Sequence, residues 1–159
     1  MTAQPGSHNF ERLKEHILPL SSAQTFDIAR REWSLAGIEV SEDWDSCPCG
    51  QEIKEHCFIH NRVTGERTHV GNVCINRFIG IDTGTLFDGL KRIAGGEPAR
   101  ANEDLIQHAF ALGYLHDAKE RDFLMSIRFK RKLSPAQAKW ERFIHQRILK
   151  QTVVKQRTR

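Results

Sequence analysis

Four cysteines, Cys47, Cys49, Cys57 and Cys74, fall within 28 residues of a 159-residue chain that has no others. Cys47-Pro48-Cys49-Gly50 is followed by Cys57 after seven residues and by Cys74 after sixteen more. The opening residues MTAQPGSHNF contain neither a basic region nor an apolar stretch of the secretory kind, so a disulfide framework is not expected. Packing alone is a weak account of three cysteines in eleven positions separated by a glycine. Structural zinc takes four soft ligands in a tetrahedron, which thiolates at a tight turn, on a hairpin and at a helix start would supply. Gly50 permits a positive φ after the second cysteine, which turns backbone N–H groups toward sulfur. Gly71 is expected to do the same before Cys74, whose place at a helix N-terminus favours a negative ligand. The expectation is a closed four-thiolate zinc site on Cys47, Cys49, Cys57 and Cys74 in a treble-clef-like finger. His56, His60 and His69 lie near enough in sequence to replace one thiolate. His56 ranks first among them because it adjoins Cys57.

A closed site leaves no open coordination position for catalysis, and a metal-bound sulfur is already occupied as a nucleophile. His60-Asn61 with His69 on a hairpin matches part of a ββα nuclease finger, but the histidine such fingers carry on the next helix is absent from Cys74 to Gly80. No Gly-rich phosphate loop, Ser/His/Asp set or paired helix carboxylates stand out. The chain reads as a non-enzyme.

Charge is unevenly placed along the sequence. Residues 121–159 hold 12 Lys/Arg against Asp122 and Glu141, a net of +10, whereas the first 120 residues hold 12 basic against 18 acidic residues, a net of −6. A concentrated Lys/Arg surface most often serves a polyanion through counterion release, so nucleic acid, DNA or RNA, is the expected partner. The composition of 39% hydrophobic and 28% charged residues is that of an ordinary globular chain, with no apolar run of membrane-spanning length. A soluble, cytoplasmic protein is expected.

The periodicity predicts an α+β protein, mostly helical around a small zinc-bound hairpin. Phe10, Leu13 and Ile17 mark a first helix ended near Pro19. Phe26, Ala29 and Trp33 mark a second that Gly37 would stop, so residues 1–37 read as a helical hairpin. An acidic stretch, Glu39, Glu42, Asp43 and Asp45, leads into short strands, Cys57–Arg62 and Arg67–Val70, about a Thr64-Gly65 turn. Leu86, Leu90 and Ile93 mark a helix beginning near Asp82 or Thr83. Gly95-Gly96-Glu97-Pro98 reads as a linker, giving a unit over 1–94 that contains the finger (about 45–80) and a basic helical unit over 99–159. In the latter, Leu105, Ala109 and Leu112 form one helix before Gly113, and Asp117 opens another. Ser134-Pro135-Ala136-Gln137 is a capping box with proline at the first helical position. In the last helix Trp140, Phe143, Ile144 and Ile148 are expected to face inward, with Lys139, Arg142, Gln146 and Lys150 on a separate stripe.

The run C-x-C-G-x2-I-x3-C-x-I-x-N-x2-T-G…V-G-x2-C-I-x2-F, from Cys47 to Phe78, resembles a small zinc-binding module of uncharacterised phage and large DNA virus proteins. Phe123-Leu124-x2-Ile127 followed by Lys130-Arg131-Lys132-Leu133-Ser134-x2-Gln137 resembles a helical segment that accompanies it. The resemblance implies zinc on the four cysteines, structural roles for Asn61, Gly71 and Phe78, and a mobile-element context. It implies no activity.

The function expected is zinc-stabilised nucleic-acid binding without sequence specificity. Arg128, Lys130, Arg131 and Lys132 in a turn, continued by Lys139, Arg142, Arg147 and Lys150, would contact phosphates. Base stacking would have few aromatics to use, with Trp140 and Phe143 inward and Tyr114 the only tyrosine. The alternative is an interaction or inhibitor module of phage type, in which the finger or the acidic stretch from Glu39 to Glu55 binds a host protein. A zinc-dependent nuclease-like enzyme is a distant third.

Overall fold

The computed structural model describes residues 7–95 and 99–155. Among them are seven α-helices and one three-stranded antiparallel sheet, an α+β architecture. The chain divides into two compact units, Met1–Thr83 and Gly84–Arg159. This division falls one helix before Gly95-Gly96-Glu97-Pro98, of which Gly96, Glu97 and Pro98 lie outside the described residues. No described helix is long and apolar enough to cross a membrane.

In the first unit, α1 (Ser7–Ile17) buries Leu13 and Ile17 on one face and ends in a 3-10 turn, Leu18–Leu20. α2 (Phe26–Ala29) is a single turn, extended by a 3-10 turn at Arg30–Glu32, after which the chain runs extended as β1 (Trp33–Ser46). The helical hairpin expected over residues 1–37 is therefore corrected: Trp33 begins a strand, and Gly37 lies at a register shift inside it. The reason is tertiary. Glu32 is buried and its carboxylate accepts from the Ser22 and Ala23 amides at 2.8 Å each and from Asn61 Nδ2 at 2.9 Å, which ties the helix end to the far end of the sheet. The Ser22 and Asn61 donors hold this carboxyl below its usual range, outweighing the effect of burial. Trp33 packs on Phe78 at 6.2 Å between ring centroids and donates its indole N–H to Ser21 Oγ at 2.9 Å. Burying such a ring contributes roughly 1.5–3 kcal/mol, enough to override an i, i+3, i+7 pattern.

The sheet order is β1-β2-β3. β2 (Glu52–Asn61) pairs with β1 from Trp33 opposite Asn61 to Val40 opposite Glu55, and pairing resumes at Asp45 opposite Ile53. β3 (Arg67–Gly71) pairs with β2, with His56 opposite Gly71 and Phe58 opposite His69. The hairpin turns at Thr64-Gly65 as expected, and Asn61 Oδ1 accepts from the Val63 and Thr64 amides at 2.8 and 2.9 Å. α3 (Asn72–Ile79) follows at once and buries Ile75 and Phe78. Phe26, Trp33 and Phe78 form the aromatic centre of the unit, whose other buried side chains include Ile38, Ile59 and Val70.

The second unit is helical: α4 (Gly84–Ala94), α5 (Glu103–Ala111), α6 (Ala118–Ile127) and α7 (Pro135–Lys150). Its helix starts are set locally. Asn102 caps α5 on Leu105 N at 2.9 Å, and Asp117 caps α6 on Glu120 N at 3.2 Å. Ser134 and Gln137 complete the capping box reciprocally at 3.1 Å. Leu105, Ile106, Leu115, Leu124, Ile127, Ile144 and Ile148 form the core. The buried stripe of α7 is Glu141, Ile144 and Ile148, with Glu141 paired to Arg100 at 3.3 Å. This leaves Phe143 56% exposed, correcting the expectation that it faces inward, while Trp140, 39% exposed, stacks on Phe123 at 4.1 Å between ring centroids. Beyond α7 the backbone turns at Gln151 (φ 53°), and the Val154 and Lys155 amides donate to Gly113 O at 2.8 and 3.1 Å. Gly113 has φ 85°, and a Cβ there would collide with the Lys155 carbonyl oxygen, so the position requires glycine.

Candidate metal centre and basic face

Cys47 and Cys49 lie in the tight turn between β1 and β2, and Cys74 lies in the first turn of α3. The turn closes through Cys47 N–H to Gln51 O and Gly50 N–H to Cys47 O, both 2.8 Å. Gly50 takes φ 97°, as expected, and a Cβ there would meet Arg12 Nη1 of α1. The three Sγ atoms lie within 4.8 Å of one another, and all three residues are buried. Sulfurs held at about 2.3 Å around a tetrahedral ion stand roughly 3.8 Å apart, so the group is dimensioned for one.

The electrostatics fit as well. Gly71 N–H donates to Cys47 Sγ at 3.3 Å, and the Cys49 amide also points at that sulfur. The Gln51 amide serves Cys49 in the same way. Gly71 itself keeps φ −75° as the cap of α3, so it contributes its N–H to Cys47 and not a positive-φ turn before Cys74. The Cys74 thiol, with the Cys49 and Gly71 amides, pulls Cys47 down to about 5. Cys74 is pushed up by holding its proton against Cys47 and by burial, and Cys49 is pushed up chiefly by burial. Three sulfurs this close do not all ionise alone, and a cation among them would displace the protons. A metal ion fits this donor set.

Cys57 stands outside the group. It is fully buried on β2 opposite Val70, its sulfur 3.9 Å from Thr83 Oγ1, and burial pushes its thiol up to about 12. The three clustered thiolates are therefore one ligand short of the closed four-cysteine site. None of His56, His60 and His69 joins them: His56 and His69 gather about Asp45, and His60 pairs across the sheet with Ser34 and Arg67.

In the second unit, Lys130, Arg131, Lys132, Lys139, Arg142 and Lys150 are exposed. Arg128 is engaged with Glu103 at 3.5 Å and lies over the Phe129 ring, which is 86% exposed. Lys139, Arg142, Phe143 and Gln146, at i, i+3, i+4, i+7 along α7, line a cleft of about 250 Å³. Arg147 differs from its neighbours. Its guanidinium forks onto both oxygens of buried Glu120, at 2.9 and 2.6 Å, and reaches Tyr114 O at 2.9 Å. It belongs to the interior, not to the phosphate-facing stripe expected for it. Glu120 also accepts from the His116 amide at 2.7 Å and the Trp140 indole at 3.0 Å. No local pattern marks Glu120, since its partner lies 27 residues on. Comparison of the chain with family models, with curated proteins and with solved structures found no match.

Proposed function

We propose that the chain is a zinc-stabilised nucleic-acid-binding protein without catalytic activity. In this reading zinc sits on Cys47, Cys49 and Cys74 and holds the turn, the β2–β3 hairpin and α3 together as a treble-clef-like finger. Three buried thiols with backbone amides directed at sulfur suit a soft, redox-inert ion. Nucleic acid binds the outer face of α7 and the preceding turn, where Lys130, Arg131, Lys132, Lys139, Arg142 and Lys150 meet phosphates. The observation that carries this reading is the exposed Phe143 beside Lys139 and Arg142, with the largely exposed Phe129 beside Arg128 in the turn. Cations interleaved with open aromatic rings suit a strand whose bases are free to stack, and such contacts carry little sequence information.

The experiment is fluorescence anisotropy with random-sequence single-stranded and duplex oligonucleotides across a salt series. Binding that weakens steeply with salt is expected, with a slope reduced by about one for each phosphate contact removed. Lys139→Glu with Arg142→Glu should weaken binding at least tenfold, and affinity unchanged by salt and by both substitutions sinks the reading.

One observation favours a protein partner instead. Edge strand β1 exposes Trp44 (64%) and Val40 (38%) beside Glu39, Glu42 and Asp43, an acidic and apolar strip of the kind a host protein would cover. Under that reading charge reversal on α7 is silent, and Trp44→Ala abolishes capture of the partner.

A further inference from the structure

The sheet carries a second cluster of metal-ligating side chains that the cysteine centre does not use. Asp45 of β1, His56 of β2 and His69 of β3 each offer one ligand atom within 4.8 Å of the others. Asp45 Oδ2 lies 3.0 Å from His56 Nε2 and 3.9 Å from His69 Nε2. Ligand atoms at about 2.0–2.2 Å around one ion are separated by roughly 3.0–3.5 Å, close to these distances.

Strand register assembles the group. His56 opposite Gly71 and Phe58 opposite His69 put both imidazoles on one face of the β2–β3 pair, with ring centroids 5.1 Å apart. Asp45 pairs with Ile53 and not with a histidine. It reaches the imidazoles because β1 is irregular between Val40 and Asp45, and a bulge re-aims the side chain that follows it.

Packing and hydrogen bonds restrain the three residues. His56 is 6% exposed and stacks on Phe58 at 6.2 Å and 14°, while its Nδ1 makes no hydrogen bond. Asp45 Oδ1 accepts from the Ser46 amide at 2.7 Å, which fixes the carboxylate and leaves Oδ2 for the histidines. The Asp45 side chain is 57% exposed, so an ion has a path from solvent to the buried imidazole. His69 Nε2 lies 3.0 Å from the Ser46 carbonyl and would exchange that partner for the ion.

We propose that Asp45, His56 and His69 form a second metal site, for a divalent first-row transition ion, distinct from the cysteine centre. Two imidazoles and one carboxylate suit zinc, cobalt, nickel or ferrous iron over magnesium and calcium, which take all-oxygen sets. Three ligands leave further coordination positions on the ion to water or a small ligand.

Cobalt(II) tests the proposal, because only the cysteine centre gives thiolate-to-metal charge-transfer absorption. Titration of metal-free, reduced full-length protein should bind two equivalents, one of which adds ligand-field bands without increasing the charge-transfer band. Asp45→Asn and His69→Ala should each weaken that sulfur-silent equivalent at least tenfold and leave the charge-transfer band intact. Asp45 is largely exposed, so its substitution keeps the test free of a folding defect. Every cobalt equivalent accompanied by charge transfer, two equivalents retained in both variants, or loss of the charge-transfer band in them would overturn the proposal. A sulfur-silent equivalent without any charge transfer would support it while removing the zinc reading of the cysteines.

Discussion

The two units of this chain are made by different means. The first is held by contacts between distant residues: Glu32 with Asn61, Trp33 with Phe78, Cys47 with the amide of Gly71. The second starts each of its last three helices with a side-chain oxygen that accepts from the backbone amide three residues on. Their chemistry divides in parallel, with thiols, imidazoles and carboxylates gathered on the sheet and guanidinium and ammonium groups displayed on α7. A unit that depends on register can assemble ligands from several segments, whereas a unit built from capped helices presents a periodic surface. The first should therefore fail when its ligands are removed, and the second when its interior charge is.

The largest expected effect breaks the comparison at the cysteines. Structural zinc contributes about 10–16 kcal/mol to folding, comparable with the roughly 5–15 kcal/mol that holds a whole domain. Cys49→Ser or Cys74→Ser should therefore abolish metal content and unfold the first unit. Circular dichroism should then report loss of the sheet with the helical signal of the second unit retained, and a single unchanged transition with metal still bound would refute the site. Cys57→Ser should keep its metal and cost about 1–3 kcal/mol for a hydroxyl in an apolar site. Metal loss on that substitution would return Cys57 to the ligand set.

Glu120→Ala sharpens the other side of the comparison. It leaves Arg147 buried without its carboxylate and should cost the second unit about 3–5 kcal/mol in a urea melt, with the metal unaffected.

Acid should weaken the second unit more gently. Burial pulls His108 and His145 down to about 4, so both stay neutral in the fold where an unfolded histidine gains a proton near 6.5. The unfolded state then binds more protons, and stability falls as the pH drops from about 6.5 to about 4. Glu120 adds to the loss further down. Burial opposes its ionisation, but Arg147, His116 and Trp140 prevail and lower its pKa, so its stabilisation is present above the unfolded value and lost as pH falls through the folded one. Denaturation midpoints across this range should show the slope, and His108→Gln should flatten it. Ser134→Ala, the smallest change, should cost about 1 kcal/mol by removing one arm of the capping box.

Local chemistry was legible in the sequence where it decided the structure. The Ser134 box, the Asp117 cap, the Thr64-Gly65 hairpin and the turn at Gly50 all follow from residues within a few positions of each other. The proximity of Cys47, Cys49 and Cys74 was legible as well. Strand parity was not: Cys57 turns to Thr83 because of where β2 pairs, which spacing along the chain does not encode. Trp33 fits a helical face as well as it fits the start of a strand, and the tertiary contacts of Glu32 and of the indole itself decide between them. In α7, apolar spacing suggested Trp140 and Phe143 for the interior. A glutamate paired with Arg100 took that position, which no hydrophobic pattern reveals.

The strap from Gln151 to Lys155 bears on how this protein is handled as material. Two amides close on one carbonyl at Gly113, and Tyr114 beside it donates its hydroxyl to Gln151 Oε1 at 3.2 Å. A fragment ended at Lys150, where the helix stops, would strip those partners from a buried corner of the helical unit. The proper place to cut, label or fuse lies beyond Lys155, whose amide closes on Gly113, 42 residues upstream.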